Sequence, residues 1–354
     1  MRNFEYESLE QAYPNIINAL LTEGKVVSPR GMVTKEISPA CITITNPRKR
    51  VIPSAVRKLN YGFMCAELIW MLEGSDDVNF IGHYNSIWKS FTDDGQTLNG
   101  AYGKRIFNWD SGMRTITREK VIDSSGNKEL VSTNEHVIIN QFQKAYEQLK
   151  NDKFSRQATI VLFDPYKDYK ETKDKPCTNL MRFMIRENKL NMTVFMRSND
   201  IWRGTPYDIF NFTMLQEIMA CMLGIDIGKY THVADSLHIY ESDFELGQKV
   251  VEENYPLLYN KIFPFNNNIN NLTGDLNLVF EIEKLTRENK TISTIDIIEK
   301  LNVITSKYWR SIAAVLATYN FRKYRRKQNE LDMLKQYITN EFNSLMKERY
   351  NELK

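Results

Sequence analysis

The stretch DKPCTNLMRFMI, residues 174–185, contains a cysteine whose thiol could act as a nucleophile. Cys177 follows a proline and stands at the edge of an apolar run that is typical of a strand. A lone cysteine is more often a small buried side chain than a catalyst, so its neighbours must decide between the two interpretations. A catalytic thiol would need nearby cations, because they lower its pKa and favour the thiolate.

A polar cluster follows the next apolar run, at residues 197–200. Polar residues that gather where a strand ends often line a site. Arg197 beside Ser198 offers charge-assisted hydrogen bonds to a phosphate, with a surface ion pair as the alternative. Further on, His238 and Tyr240 are two residues apart and share one face of a strand, where they suit a sugar hydroxyl; a core histidine is the alternative. A thiol, arginines and this pair together suggest a nucleotide enzyme, although spacing alone does not identify the reaction.

Composition excludes several other classes of protein. The 354 residues carry a formal charge of only +3, which makes a nucleic-acid partner unlikely. Four widely separated cysteines without a CxxC pair argue against a disulfide framework or a structural zinc site and favour a reducing compartment. The first residues lack a signal-peptide pattern, and no apolar stretch approaches the ~20 residues of a membrane span. We therefore expect a cytoplasmic protein without a membrane partner.

The elements that must position these side chains are visible as hydrophobic patterns. Helical patterns cover residues 5–24, 60–73, 136–150 and 209–224. Strand patterns cover ACITITN, QATIVLFDP and two runs that meet at Glu187-Asn188, and an inserted hairpin is predicted at 111–135.

The character of the chain changes after about residue 262, which predicts two regions, 1–262 and 263–354. A polar linker, NNNINNLTGD, is followed by charged helical sequence, with apolar residues at spacings of three and four in 331–345. The basic patch FRKYRRK suggests an arm that binds a partner or nucleic acid. We favour the alternative, a helical extension packed on the first region with its charges in solvent.

The motifs of residues 5–262 resemble the thymidylate synthase superfamily, including its pyrimidine-nucleotide hydroxymethylase branch. They occur in the family's order: SPRG, ELIWMLEG, SIWKSF, GAYGKR, QLKNDKFSRQ, KPCTN, MRSND, GTPYDIFNF and DSLHIY. The resemblance implies an α/β (α+β) fold in which a large mixed β-sheet is flanked by helices. It also implies a homodimer with back-to-back sheets, a pyrimidine nucleoside monophosphate as substrate, 5,10-methylenetetrahydrofolate as cosubstrate and no metal.

The same resemblance implies catalytic roles for three residues. Cys177 would add to C6 of the pyrimidine, which makes C5 nucleophilic towards the one-carbon unit. Glu67 would organise water and proton transfers, and Tyr102 would assist proton movement at C5.

Binding roles follow from the same motifs. The implied substrate contacts are Arg30, Arg197 and Ser198 for the phosphate, Arg156 reaching across from the second subunit, His238 and Tyr240 for the sugar, and Asn199 and Gly204 near the base. The implied folate contacts are Trp88, as a wall of the pocket, and Asp200, facing the pterin.

Asp208 departs from the synthases, which have an asparagine at this position. An asparagine amide matches uracil because it both donates to O4 and accepts from N3, whereas an ionised carboxylate only accepts. The C4 amino group of cytosine suits a carboxylate, and Asp208 could share a proton with N3 as Cys177 adds to C6. The alternative, an aspartate facing solvent in a loop, is weaker, so we expect a cytosine nucleotide.

Further departures bear on the product. CTN replaces the synthases' Cys-His pair, Gln157 replaces a second arginine, and no apolar closing segment is recognisable. Easier access for water would favour hydroxymethyl over methyl transfer. The sequence therefore predicts a (deoxy)cytidylate 5-hydroxymethylase. The alternatives are a synthase that methylates dUMP or dCMP, and a catalytically inactive nucleotide- or RNA-binding homologue.

Overall fold

A computed structural model describes residues 1–121, 126–255, 269–343 and 346. The strands are β1 (Arg2–Tyr6), β2 (Lys25–Val27), β3 (Thr34–Ile37), β4 (Ala40–Ile44), β5 (Trp109–Val121), β6 (Lys128–Ile139), β7 (Thr159–Val161), β8 (Thr178–Arg186), β9 (Lys189–Met196), β10 (Asn199–Asp200), β11 (Asp226–Ala234) and β12 (Leu237–Tyr240). The helices are α1 (Leu9–Glu23), α2 (Tyr61–Leu72), α3 (Val78–Tyr84), α4 (Tyr102–Phe107), α5 (Gln141–Asn151), α6 (Pro165–Asp168), α7 (Thr205–Leu223), α8 (Phe244–Glu252), α9 (Ile269–Glu288), α10 (Thr294–Val303), α11 (Lys307–Lys323) and α12 (Gln328–Lys335).

A six-stranded mixed sheet in the order β1-β4-β11-β9-β8-β7 forms the centre of the fold. Strands β1 and β4 pair in parallel, as do β11 and β9, while the other neighbours are antiparallel. A second sheet has the order β10-β12-β3-β2, and β5 with β6 forms a separate ribbon. The predicted α/β class, with a large mixed sheet and a helical C-terminal region, is confirmed.

Strands β8 and β9 form the predicted hairpin that leads into and out of the cysteine and arginine motifs. Their side chains alternate between buried and partly exposed positions along both strands. Glu187 and Asn188 form the two-residue turn with φ values of 52° and 56°. Positive φ at both central residues gives the turn the twist that an antiparallel pair requires, which explains the tight connection.

Helix α7 lies against β9 and β11 and is apolar on almost every side. Pro206 occupies its first turn, where a missing backbone N–H costs nothing, and Gly224 ends it in the left-handed conformation at φ 67°. Asp208 stands in that first turn, so the helix presents this carboxyl at the edge of the sheet. The alternative of a solvent loop for Asp208 is therefore excluded.

Two predicted helices begin later than the hydrophobic pattern indicates. Residues 2–6 pair in parallel with β4, and the Ser8 side chain accepts from Gln11 N–H to start α1 at Leu9. The ribbon is longer than predicted, because β5 and β6 stay paired to Trp109 and Ile139, and α5 starts only at Gln141. In both cases the residues before the helix form a strand instead, through a β-pairing that the sequence pattern did not reveal.

The strand predicted at QATIVLFDP is short, because only Thr159–Val161 pair with β8. The single helical pattern predicted at 331–345 is interrupted after Lys335, where Ser311 Oγ accepts from Thr339 N–H at 2.9 Å. Leu345 lies outside the described residues.

The C-terminal helices pack on the outer side of α2 and α3. A Cβ at Gly62 of α2 would lie 2.1 Å from the Tyr319 ring of α11, so the two helices approach closely. At the end of α3, Tyr84 Oη donates to Glu283 at 2.8 Å and accepts from Asn320 Nδ2 at 2.9 Å. The boundary between 262 and 263 lies outside the described residues, and the division into two regions stays a prediction.

Across the described ranges, the model contains no helix whose length and hydropathy suit a membrane crossing. The cytoplasmic location stays a prediction.

Candidate active site

Cys177 immediately precedes β8 and is partly exposed. Its Sγ lies 3.7 Å from Ser198 Oγ, and its backbone carbonyl accepts from Arg197 N–H at 2.9 Å. The exposed Arg197 guanidinium donates to the carbonyls of Lys175 and Pro176, both at 3.1 Å. These hydrogen bonds stabilise the loop that carries the thiol. The structure thus brings Cys177, Arg197 and Ser198 together, as the sequence predicts.

The pKa of the Cys177 thiol is raised, because burial outweighs the opposing effects of Arg197 and the Ser198 hydrogen bond. This direction differs from the lowered pKa expected for an activated thiol. The nearby carboxyls of Asp208 and Asp174 add to the rise. The thiol is therefore protonated at neutral pH, and the predicted role as a nucleophile would require it to lose this proton.

Tyr102 begins α4 and reaches the start of β8. Its hydroxyl accepts from Thr178 N–H at 3.2 Å, one residue beyond Cys177. Burial, with Cys177 and Asp208 nearby, raises its pKa well above 10. The Tyr102 hydroxyl therefore keeps its proton at neutral pH, and its predicted role in proton movement stays a prediction.

Glu67 lies in the middle of α2 and faces α7. Asn211 Nδ2 donates to its Oε2 at 2.7 Å. Burial and the charge of Asp208 raise its pKa to about 8, against the lowering effect of the Asn211 hydrogen bond. A carboxyl with such a pKa can give or take a proton near neutral pH, which suits general acid–base work.

Asp208 accepts a hydrogen bond from Asn199 Nδ2 to its Oδ2 at 2.8 Å. Burial raises its pKa to about 7; the Asn199 hydrogen bond lowers it and the charge of Asp200 raises it further. Asn199 is only 3% exposed, and its amide supports the Asp208 carboxyl. Its predicted contact with the substrate stays a prediction.

Gly204 stands where a side chain would disturb this contact. An added Cβ would lie 3.1 Å from both Asn199 Nδ2 and Asp208 Oδ2. The sequence comparison suggested that this glycine lets the backbone approach the base. The structure shows that it makes room for the Asn199–Asp208 hydrogen bond.

The predicted sugar residues lie on β12, beside the polar cluster. Asp200 and His238 are register partners in β10 and β12, and the His238 and Tyr240 rings meet edge to face at 5.3 Å. Asp200 Oδ1 accepts from the backbone N–H of Trp202 at 2.8 Å. Arg203 covers the Tyr240 ring at 4.9 Å and donates to Asp243 at 3.2 Å, so carboxylates already offset its charge.

Trp88 belongs to an aromatic group beside the cleft. Its ring lies 6.5 Å from Phe63 and 6.3 Å from Trp70, both on α2. Phe63 in turn meets Tyr207 of α7 at 5.0 Å. Trp88 is partly exposed, so this aromatic group offers a flat apolar surface to solvent. Its role as a wall of a folate pocket stays a prediction.

Arg30 and Arg156 are not joined to the Cys177 cluster by a hydrogen bond in the described parts of the chain. Both side chains are exposed. Arg30 adopts φ 55° and ψ 29°, a left-handed conformation that costs a non-glycine residue energy and often marks a functional position. Arg156 lies on the loop before β7, at the edge of the large sheet.

Sequence reasoning missed Asn211, Thr205, His232 and Tyr230, which support the carboxyls. Asn211 could have been predicted from the sequence, because it is a polar residue in an apolar helix and lies three positions after Asp208, on the same face. His232 and Tyr230 were not, because strand alternation marks them only as buried. No cluster of three potential metal ligands occurs in the part of the chain that the structure describes.

The fold, together with the family match and the relatives described next, defines a folate-dependent one-carbon transferase that acts on pyrimidine nucleotides. Residues 11–273 match the model of the thymidylate synthase family, and the chain belongs to that family. It is 31% identical over 319 residues to the deoxyuridylate hydroxymethyltransferase of Bacillus phage SP01, an alignment that covers 89% of this chain and 76% of the phage protein. A protein of the same name from Pseudomonas phage M6 is 29% identical over 245 residues, covering 68% of this chain and 62% of the relative.

Proposed function

We propose that the protein hydroxymethylates C5 of a cytidine monophosphate, dCMP or CMP, with 5,10-methylenetetrahydrofolate as the one-carbon donor. The observation that carries the choice of base is that the buried Asp208 lies close enough to Cys177, Tyr102 and Glu67 for its charge to raise the pKa of all three. Its Oδ2 accepts from Asn199, which leaves Oδ1 for the base. An ionised Oδ1 is an acceptor and matches the C4 amino group of cytosine.

The chain's own residues supply the covalent and proton-transfer steps. The Cys177 sulfur, after losing its proton, forms a bond to C6, and the C5–C6 double-bond electrons move towards C5. N3 gains basicity in this step, and Asp208 is placed to share a proton with it. The folate supplies a methylene unit for C5. Loss of the C5 proton, with Tyr102 assisting proton movement, would break the bond between the methylene carbon and the folate nitrogen, release tetrahydrofolate and leave an exocyclic methylene group on C5. After water adds to that carbon, expulsion of the Cys177 thiolate would restore the C5–C6 double bond.

Water as the final nucleophile gives the hydroxymethyl product. Glu67, with its pKa of about 8, is suited to take a proton from this water near neutral pH. The names of both phage relatives support hydroxymethyl over methyl transfer. Methyl transfer by a synthase-type reaction remains the alternative within the enzyme class.

Deoxyuridylate is the second candidate substrate, and the names of the two relatives favour it. The structure offers a physical route to uracil, because the raised pKa of Asp208, about 7, allows a neutral carboxyl at neutral pH. A protonated Oδ1 donates a hydrogen bond and matches O4 of uracil. This neutral form of Asp208 is the physical basis of the second candidate, and the ionised form is that of the first.

A homodimer with back-to-back sheets is part of this proposal. The face of the large sheet that points away from α7 carries a cross-strand row of partly exposed residues, in which Leu180 and Val233 both flank Phe195. An apolar row on an open sheet face suits burial against a second copy. The second copy would supply Arg156 to the phosphate site.

The test is release of tritium from C5-labelled dCMP, CMP and dUMP, with and without methylenetetrahydrofolate, together with the product mass. Folate-dependent release from a cytidine nucleotide with a hydroxymethyl mass gain is expected. Release from dUMP alone would establish the second candidate. Nucleotide binding without any release would establish the inactive homologue.

A further inference from the structure

A chain of buried polar side chains stands behind Asp208. Tyr230 and His232 belong to β11 and are fully buried, and Asn199 is 3% exposed. Tyr230 Oη lies 2.8 Å from His232 Nδ1, His232 Nε2 lies 3.1 Å from Asn199 Oδ1, and Asn199 Nδ2 lies 2.8 Å from Asp208 Oδ2. We name Tyr230, His232 and Asn199 the relay. In the described part of the chain, this series of hydrogen bonds ends at Asp208.

The direction of the hydrogen bonds follows from the phenol. Burial raises the pKa of Tyr230 well above 10, so its hydroxyl keeps a proton to donate. Within the described residues, the hydrogen-bond partner of that hydroxyl is His232 Nδ1. Burial also lowers the pKa of His232 to about 3, which makes the ring neutral. A neutral imidazole that accepts at Nδ1 carries its proton at Nε2.

The Asn199 amide is oriented by these donors. His232 Nε2–H points at Asn199 Oδ1, and the Thr205 hydroxyl hydrogen-bonds the same oxygen. The oxygen side of the amide is therefore occupied, and Nδ2 must face Asp208. An amide flip would bring two N–H groups towards the Nε2 proton, and an unpaired buried donor is costly.

Asp208 is thereby left with one oxygen whose character can change. Oδ2 is fixed as an acceptor, so a proton on the carboxyl can sit only on Oδ1. The groups that face Asp208 from the surrounding elements are Glu67 of α2, Tyr102 of α4, Cys177 beside β8, Asp200 of β10 and Tyr230 of β11. None of them is a cation, so the Asn199 hydrogen bond is the contact that supports the ionised form.

We propose that the relay is a specificity-determining device: Tyr230, acting through His232 and Asn199, fixes which oxygen of Asp208 meets position 4 of the base. This inference rests on the proposed role of Asp208 in reading the base. All three members are positioning residues, because none touches the base. Breaking the chain of hydrogen bonds at its far end should weaken discrimination between cytosine and uracil without removing the catalytic thiol.

The experiment compares Tyr230→Phe, His232→Leu and His232→Gln with the unaltered protein. The readout is the ratio of kcat/KM for dCMP to that for dUMP, with the ratio of the two dissociation constants measured by calorimetry. Loss of one net hydrogen bond corresponds to about a tenfold change. We expect Tyr230→Phe and His232→Leu to move both ratios about tenfold towards the disfavoured base.

His232→Gln is the conservative rescue, because its amide can accept from Tyr230 with Oε1 and donate to Asn199 with Nε2. Its ratio should stay within about threefold of the unaltered protein. Tyr255→Phe is the matched control. It removes a tyrosine hydroxyl that donates to Glu10 O at 2.7 Å, away from the cleft, and should leave the ratio unchanged.

If both the kcat/KM ratio and the dissociation-constant ratio stay unchanged in Tyr230→Phe and in His232→Leu, the proposed role of the relay is wrong. Failure of the proposed function has a different signature, which is the absence of tritium release from every nucleotide by the unaltered protein. In that case a binding ratio that still shifts in the relay variants, but not in Tyr255→Phe, would support the relay on its own.

Discussion

The two ends of the cleft are built in opposite ways. At the base end, Asp208 is held by Asn199, and Asn199 by His232, through hydrogen bonds between buried groups of a single chain. At the proposed phosphate end, Arg30, Arg197 and Arg156 are exposed, and Arg30 sits in a left-handed backbone conformation. The proposed base end is thus held by hydrogen bonds between buried groups, whereas the proposed phosphate end consists of long side chains at the surface. On this assignment, selectivity for the base would depend on the fold itself, and affinity for the phosphate would depend on exposed side chains.

Removing the thiol between the two ends should have the largest effect. Cys177→Ser is expected to lower turnover by about 10⁴-fold or more, because the hydroxyl is a far weaker nucleophile. Nucleotide affinity should stay within about threefold, since neither end is altered. Cys221→Ser, at a buried cysteine of α7, is the control and should keep its activity. Substantial tritium release by Cys177→Ser would remove Cys177 from the mechanism.

The base end is broken most directly by Asp208→Asn. An amide both donates and accepts, so preference should move from cytosine towards uracil by about 10²-fold or more in the kcat/KM ratio. The effect should exceed that of Tyr230→Phe, because Asp208 meets the base and Tyr230 does not. An unchanged preference would take Asp208 out of the specificity argument.

The phosphate end is broken by Arg156→Ala. We expect KM for the nucleotide to rise about tenfold, because one charge-assisted contact to the phosphate is lost. Mixing inactive Cys177→Ser with Arg156→Ala tests whether the arginine crosses between subunits. A mixed dimer would contain one intact site and regain activity, whereas an arginine acting within its own chain gives no recovery. Gln157→Ala, at the neighbouring exposed position, is the control.

A substitution in the C-terminal helices should have a weaker effect on folate binding at the wall beside Trp88. Asn320→Ala removes the hydrogen bonds to Tyr84 Oη and His83 at the end of α3, four residues before Trp88. We expect KM for the folate to rise about threefold, with nucleotide affinity unchanged. Lys300→Ala, which breaks an ion pair to Glu281 on the surface of the same helices, is the control. Equal effects of both variants would mean that the helices do not act on this wall in particular.

The smallest effect is on stability. Burial raises the pKa of Glu67 from its ordinary value of 4.5 to about 8, so between these pH values the folded protein holds a proton that the unfolded chain has lost. Stability should therefore fall as pH rises from about 4.5 to 8. Glu67→Gln removes this loss and should raise the Tm by roughly 2 °C at pH 8.5 relative to the unaltered protein, with little difference at pH 4. Differential scanning calorimetry at both pH values measures it, and an equal shift at both would contradict the pKa assignment.

The sequence predicted that Cys177, Arg197 and Ser198 lie together, because each belongs to a local motif beside a strand end. The roles of these residues, and those of Arg30 and Arg156, stay predictions. The hairpin of β8 and β9 and the core helix α7 follow directly from periodicity and turn residues. The N-terminal strand β1 was missed, since its parallel partner β4 lies more than thirty residues away. The relay was missed for the same reason: Tyr230 and His232 meet Asn199 only because β11 pairs beside β9.

The packing of α11 on α2 has a consequence for how the chain reaches its native state. The ring of Tyr319 fills the space over Gly62, and Asn320 and Glu283 satisfy the buried hydroxyl of Tyr84. During synthesis these partners emerge more than 190 residues after Tyr84, so the outer side of α2 and α3 stays uncovered until the C-terminal helices leave the ribosome. A chain that stops before α9 would expose the apolar outer side of α2 and α3, and the Tyr84 hydroxyl would lack its partners Glu283 and Asn320. Such a chain would be a substrate for chaperones and proteases.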